Sequence, residues 1–137
     1  MKGDKMKINK ADFLEALSKV RPAVSEKALI EQTDHFVLDK EYIRTYDGEI
    51  AISYPFKTGL CLAVKANVFF QLISKIEGEE FELDSKEGSI VISAGRLKAV
   101  VVAAEDVKCP VILIKSRRWT LLPKNFSDAI RFCSFSV

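Results

Sequence analysis

The 137-residue chain contains a single histidine, His35, so any histidine-based zinc site or catalytic triad would have to be built around it alone. Its glycines, Gly3, Gly48, Gly59, Gly78, Gly88 and Gly95, are all isolated, so no phosphate-cradling glycine loop forms from sequence neighbours. Cys61, Cys109 and Cys133 are odd in number and include no C-x-x-C pair, the usage of reduced cytosolic thiols. No apolar run exceeds the six residues 99–104, whereas a membrane span needs roughly 20. No apolar stretch follows the charges of residues 1–7, so a secretory signal is not expected. These absences predict a cytoplasmic protein with no membrane association, no metal, no cofactor and no chemistry of its own.

What is present is ordinary for a globular domain: 48% hydrophobic and 29% charged residues, enough to build a core without disulfides. The net charge of +2 hides an uneven distribution. Residues 1–27 are net +3, residues 28–107 net −6 and residues 108–137 net +5.

The spacing predicts a first helix capped by Asn9, with Phe13, Leu14, Ala16, Leu17 and Val20 on one face and Pro22 ending it. Ile8 ends a short strand before it. Strands follow over 35–38, 42–46 and 49–54, with Asp47-Gly48 as a hairpin turn. A second unit opens with an apolar strand over 60–64. Its helix carries Val68, Phe69, Leu72, Ile73 and Ile76, closed by Gly78. Strands over 81–84, 89–93 and 97–103 complete it.

The order strand, helix, strand, strand, strand thus occurs twice, and repeats of this kind define a fold. A shift of 56 positions places Ile8 on Val64, Phe13 on Phe69, Leu14 on Phe70 and Leu17 on Ile73. It also places Ser18-Lys19-Val20 on Ser74-Lys75-Ile76. A third copy begins near the end, with Trp119-Thr120-Leu121-Leu122-Pro123 as a strand entering a helix over 124–131.

This pattern resembles the bacterial sliding clamp, the β subunit of DNA polymerase III. The residues that carry the resemblance are Lys7-Ile8-Asn9-Lys10-Ala11-Asp12-Phe13-Leu14-Glu15-Ala16-Leu17, Thr45-Tyr46-Asp47-Gly48-Glu49-Ile50, Val64-Lys65-Ala66-Asn67-Val68-Phe69-Phe70-Gln71-Leu72-Ile73, Ile92-Ser93-Ala94-Gly95-Arg96 and Leu121-Leu122-Pro123-Lys124-Asn125-Phe126-Ser127-Asp128-Ala129-Ile130. Tyr46 departs from the small residue usual before the hairpin Asp. The resemblance implies an α+β fold: a DNA-clamp-like domain of two strand-helix-three-strand repeats, antiparallel sheets outside and two helices packed together. It implies a clamp-like domain over 1–107, with repeats at about 6–56 and 59–104, a linker over 108–116 and an incomplete second domain over 117–137.

The implied function is non-catalytic: encircling or contacting duplex DNA without sequence preference to give a replicative polymerase processivity. The alternative is a clamp-fold assembly or regulatory protein that binds no DNA. Implied partners are double-stranded DNA, further clamp domains or copies in a ring, a polymerase and a clamp loader. The family's peptide-binding pocket lies in a later part of its chain, beyond the part that this chain matches.

In that family the helices line the channel, and sliding needs diffuse charge rather than base reading. The candidates for DNA contact are Lys10, Lys19, Lys27, Lys65 and Lys75, which otherwise read as solvated helix lysines. Arg117-Arg118 reads equally as a phosphate contact or a solubilised linker. The acidic run over 77–87 is expected to be a solvated face, its alternate carboxylates splayed to opposite sides. His35 beside Asp34 reads as a strand histidine, and Cys61 as a buried small hydrophobe. Phe70 lies off the main stripe, as core or as cover for a neighbouring unit. Trp119, Phe126 and Ile130, with Leu121 and Phe135, would lack a sheet of their own and are the candidate self-association surface.

Overall fold

The fold is set by two amphipathic helices that bury apolar residues at shared repeat positions, Phe13 with Phe69 and Leu17 with Ile73. The computed structural model describes residues 5–27, 30, 32–107 and 120–134. Strand β1 (Met6–Asn9) runs into helix α1 (Lys10–Val20), whose N-cap Asn9 accepts the Asp12 backbone N–H at 3.0 Å. The capping side chain satisfies one of the donors a helix start leaves open. Pro22 sits in a 3₁₀ turn over Arg21–Ala23, where the α-helix stops. Strands β2 (His35–Asp39), β3 (Tyr42–Tyr46) and β4 (Ala51–Pro55) form a meander. Strand β5 (Cys61–Lys65), helix α2 (Ala66–Ser74), and strands β6 (Glu80–Lys86), β7 (Ser89–Ala94) and β8 (Leu97–Ala104) repeat that order.

All eight strands belong to one antiparallel sheet, in the order β1-β6-β7-β8-β5-β2-β3-β4. The opening strands are exchanged. β1 pairs with β6 of the second repeat, Met6 opposite Leu83, while β5 pairs with β2 of the first, Phe36 opposite Val64. Among the described residues the ladders of the two halves of the sheet join where Ala63 and Val64 meet Ala104 and Ala103.

The helices pack together on one face of this sheet. Phe13 and Phe69, equivalent under the 56-residue shift, are both fully buried and meet edge to face, ring centroids 5.8 Å apart. Phe13 also stands edge-on to Phe56 at 5.1 Å and to Phe81 at 5.5 Å. Ile8 and Val64, Leu17 and Ile73, and Val20 and Ile76 are further equivalent pairs, all in the same core. The sheet supplies Phe36, Leu38, Ile43, Leu83, Ile90 and Ile92 to it. Buried Thr45 donates its hydroxyl to the Val20 carbonyl, which ties β3 to the end of α1.

The turns follow local chemistry. Gly48, at φ +103°, takes the left-handed position of the β3–β4 turn. Beside it, the Asp47 carboxylate accepts the N–H groups of Ile50 at 2.7 Å and Glu49 at 2.9 Å. These bonds, that to Ile50 first, hold the Asp47 carboxyl below the usual carboxylate range. A lowered pKa stabilises the fold above the ordinary value, and that contribution is lost as pH falls through the lowered one.

Two expectations are corrected. Cys61 is exposed: it begins β5 on the face opposite Leu62 and Val64, which point at the helices. Residues 120–123 form no strand, because a strand needs a paired edge and these residues stand exposed. Helix α3 (Phe126–Cys133) does form, and every residue of it is exposed. Trp119, Phe135, Cys109, Arg117 and Arg118 lie outside the described residues.

Truncating either ring of the central pair is expected to cost about 3–5 kcal/mol, the usual range for Phe→Ala in a core. Phe13→Ala and Phe69→Ala share one contact, so the double variant should lose less than the two singles added. Strict additivity in a denaturant double-mutant cycle would refute the central role of this pair.

Candidate nucleic-acid interface

The surface the helices turn away from the sheet is built from their polar stripes. On α1 the exposed residues are Ala11, Asp12, Glu15, Ser18 and Lys19; on α2 they are Asn67, Val68, Gln71 and Ser74, with Lys75 at its C-cap. Under the repeat shift Ser18-Lys19 and Ser74-Lys75 are equivalent. The same internal symmetry that buries Phe13 against Phe69 therefore presents one lysine near the C-terminal end of each helix. A cation there also complements the helix dipole.

The five lysine candidates separate into different environments. Lys19 and Lys75 belong to the helix layer, and Lys27 is exposed in the loop after α1. Lys10 is held: its Nζ donates to the Ile76 carbonyl at 2.5 Å, while its backbone N–H donates to the Glu79 carbonyl at 2.8 Å. This ammonium ties the start of α1 to the segment just after α2 and is half-buried. Lys65 is exposed but stands opposite His35 in the β2–β5 register, on the sheet face that the helices do not cover. Spacing along the chain cannot show either outcome, since one depends on a carbonyl from the other repeat and the other on strand phase.

Among the described residues the ion pairs are Lys7 with Glu80 at 3.9 Å and Arg44 with Asp39 at 3.1 Å, and His35 Nδ1 lies within hydrogen-bond distance of the Asp34 carboxylate at 2.6 Å. Lys19, Lys27, Lys65 and Lys75 have no carboxylate partner among these. The pattern missed one cation of the helix layer, Arg21, whose guanidinium carbon lies 4.3 Å from the centroid of the Phe70 ring. Phe70 is thus partly buried against the core of its own chain. An Arg beside a helix-ending proline carries no periodic signal.

The outer face is acidic where β6 crosses it. Phe81 and Leu83 point inward, so Glu80, Glu82 and Asp84 share the outer face instead of splaying to both sides. Glu77, Glu79 and Glu87 are exposed around them. No group of three or more His, Cys, Asp or Glu side chains is placed to hold a metal among the described residues. No helix of the described residues is long and apolar enough to cross a membrane. Phe126 and Ile130 are 40% and 53% exposed, on a helix that adds nothing to the core.

No protein-family model and no curated protein matches the sequence. Solved structures do match in fold. The DNA polymerase III β chain of Streptococcus pneumoniae superposes with a TM-score of 0.73 at 19% identity, over 86% of this chain and 35% of its own. The DNA polymerase β subunit of Streptococcus pyogenes gives 0.72 at 19% identity, over 86% and 35%. The Helicobacter pylori β clamp, solved with a DNA ligase peptide, gives 0.65 at 20% identity, over 80% and 34%. The chain has the α+β fold found in these sliding clamps and spans about a third of their length.

The Lys10 contact identifies that residue as structural. Lys10→Met is expected to lower thermal stability by about 1.5–3 kcal/mol, the range for a hydrogen bond to a charged group. An unchanged melting temperature would show that the ammonium is free.

Proposed function

We propose that this chain is a sliding-clamp module: a non-catalytic part that contacts duplex DNA through its helix layer, independently of sequence, and so gives a replicative polymerase processivity. The observation that carries this reading is the pairing of the clamp fold with Lys19 and Lys75, unpaired among the described residues, at equivalent positions of the two helices. The acidic outer face of β6 supports it, since it disfavours phosphates on the opposite side. Residues 1–107 are the clamp-like domain, 108–116 the linker and 117–137 the start of a second domain. A polymerase and a clamp loader are its partners by the same reading.

Encircling DNA needs further domains, and the strand edges suggest how copies join. β1 and β4 end the sheet order, so each has one side without a ladder partner among the described residues. β8 meets β5 only at its last two residues. Ala103 donates its N–H to Gly88, so by antiparallel alternation Lys98, Val100 and Val102 direct their main-chain groups away from β7. Val100 and Val102 are 66% and 81% exposed. Two unlike edges on one molecule can make a heterologous contact, the kind that forms a ring when its rotation closes. Helix α3, with Phe126 and Ile130 exposed, adds a second apolar surface to the same assembly; Trp119 belongs to the candidate set by sequence alone.

The second reading, an assembly protein that binds no DNA, draws on Asp12 and Glu15, which are exposed on α1 and offset its lysine. Salt dependence separates the two. Duplex binding should be weak and fall steeply with salt. The double variant Lys19→Gln/Lys75→Gln should reduce the slope of log K against log salt by about 2, one per phosphate contact. Tight, sequence-selective binding that survives high salt, or no binding at low salt, overturns the reading.

Light scattering tests assembly. Val100→Pro removes a donor that faces the open side and leaves the β7 ladder intact. It should lower the oligomer mass, as should Phe126→Asp. A wild type that stays monomeric at all concentrations refutes the edge contact.

A further inference from the structure

We propose that Arg21 is a phosphate-contacting residue of this surface, positioned by Phe70; the assignment rests on the DNA reading above and names a residue the lysine pattern does not. Arg21 is the first residue after α1, is exposed, and stacks on a ring that belongs to α2. Phe70 is itself packed against the core, so the guanidinium rests on a fixed platform between the two helices. A guanidinium stacked on a ring keeps its N–H donors in the plane of the stack, where they can reach a phosphate in bidentate fashion. The ring contact narrows the rotamers open to the side chain, so engaging a phosphate costs less further rotamer entropy than for a lysine without such a contact.

Two comparisons within the chain sharpen the assignment. Arg44 also lies over a ring, Tyr42 at 5.2 Å, but it is largely buried and its Nη1 stands 3.1 Å from the Asp39 carboxylate. Arg21 has the stacking without an acid partner among the described residues. The repeat equivalent of Arg21 is Glu77, so internal symmetry does not explain a cation here. The stacked cation is a feature of the first repeat alone, close to the Lys19 end of α1.

The test is fluorescence anisotropy of the full chain with a labelled duplex of arbitrary sequence, across a salt series. Arg21→Gln should reduce the salt slope by about 1. Phe70→Leu keeps the charge and loses the platform; it should retain the slope and weaken binding about 2- to 5-fold, the worth of an exposed cation–π contact. Arg21→Lys, which cannot destabilise the core, should behave as Phe70→Leu does. Lys98→Gln, on the outer sheet face, should change nothing. If the wild type binds with a salt slope that Arg21→Gln leaves unchanged, the Arg21 assignment is overturned and the DNA reading stands. If the wild type does not bind at low salt, both fail.

Discussion

The edge-to-face contact of Phe13 with Phe69 is the constraint on which the other parts depend. It joins the two repeats at equivalent residues, so it fixes the helix pair as an internally symmetric unit. Phe13 carries that unit to the sheet through Phe81, and Phe69 does so through Phe36, ring centroids 6.4 Å apart. Each ring therefore touches the other helix and a strand beneath it. Edge-to-face pairs hold orientation as well as area. The polar stripes of α1 and α2 inherit their direction from this contact, and with them Lys19 and Lys75.

The charged groups divide by layer. Cations of the helix side stand free or stacked, whereas Glu80, Glu82 and Asp84 line the outer face of β6. The proposed sliding contact calls for charge without a fixed partner on either side of it. Arg44 and Lys10 show the opposite use of a cation, each held by a group of the chain itself. Both kinds occur within one small domain, and only their contacts distinguish them.

Much of the fold was legible in the sequence because two periodicities and one repeat agree. Helices α1 and α2 start 56 positions apart, as the repeat shift requires; the paired apolar positions are buried except Leu14 and Phe70, which are partly buried against the same core. The clamp resemblance read from the same motifs is matched by the fold. What escaped depends on partners distant in sequence. Cys61 is apolar in composition yet begins a strand on the uncovered face. Lys65 has the spacing of a helix cation, and strand phase turns it to the sheet side. The segment 120–123 has strand-forming residues and no edge to join. Lys10 meets a carbonyl of the other repeat, and the Arg21–Phe70 stack likewise links one repeat to the other. Local pattern encodes which face of an element is apolar; it does not encode what the polar face meets.

The exchange of opening strands has a temporal side. β1 precedes the other strands, but its ladder partner among the described residues is β6, and Met6 pairs with Leu83. During synthesis the first strand therefore waits, unpaired, until most of the second repeat has followed it. β5 in turn completes the first meander before its own repeat exists. Contacts so distant along the chain slow folding, because loop closure precedes any reward from pairing. Each half of the sheet therefore holds a strand of the other repeat, so the ladder of either half is complete only when both repeats are present.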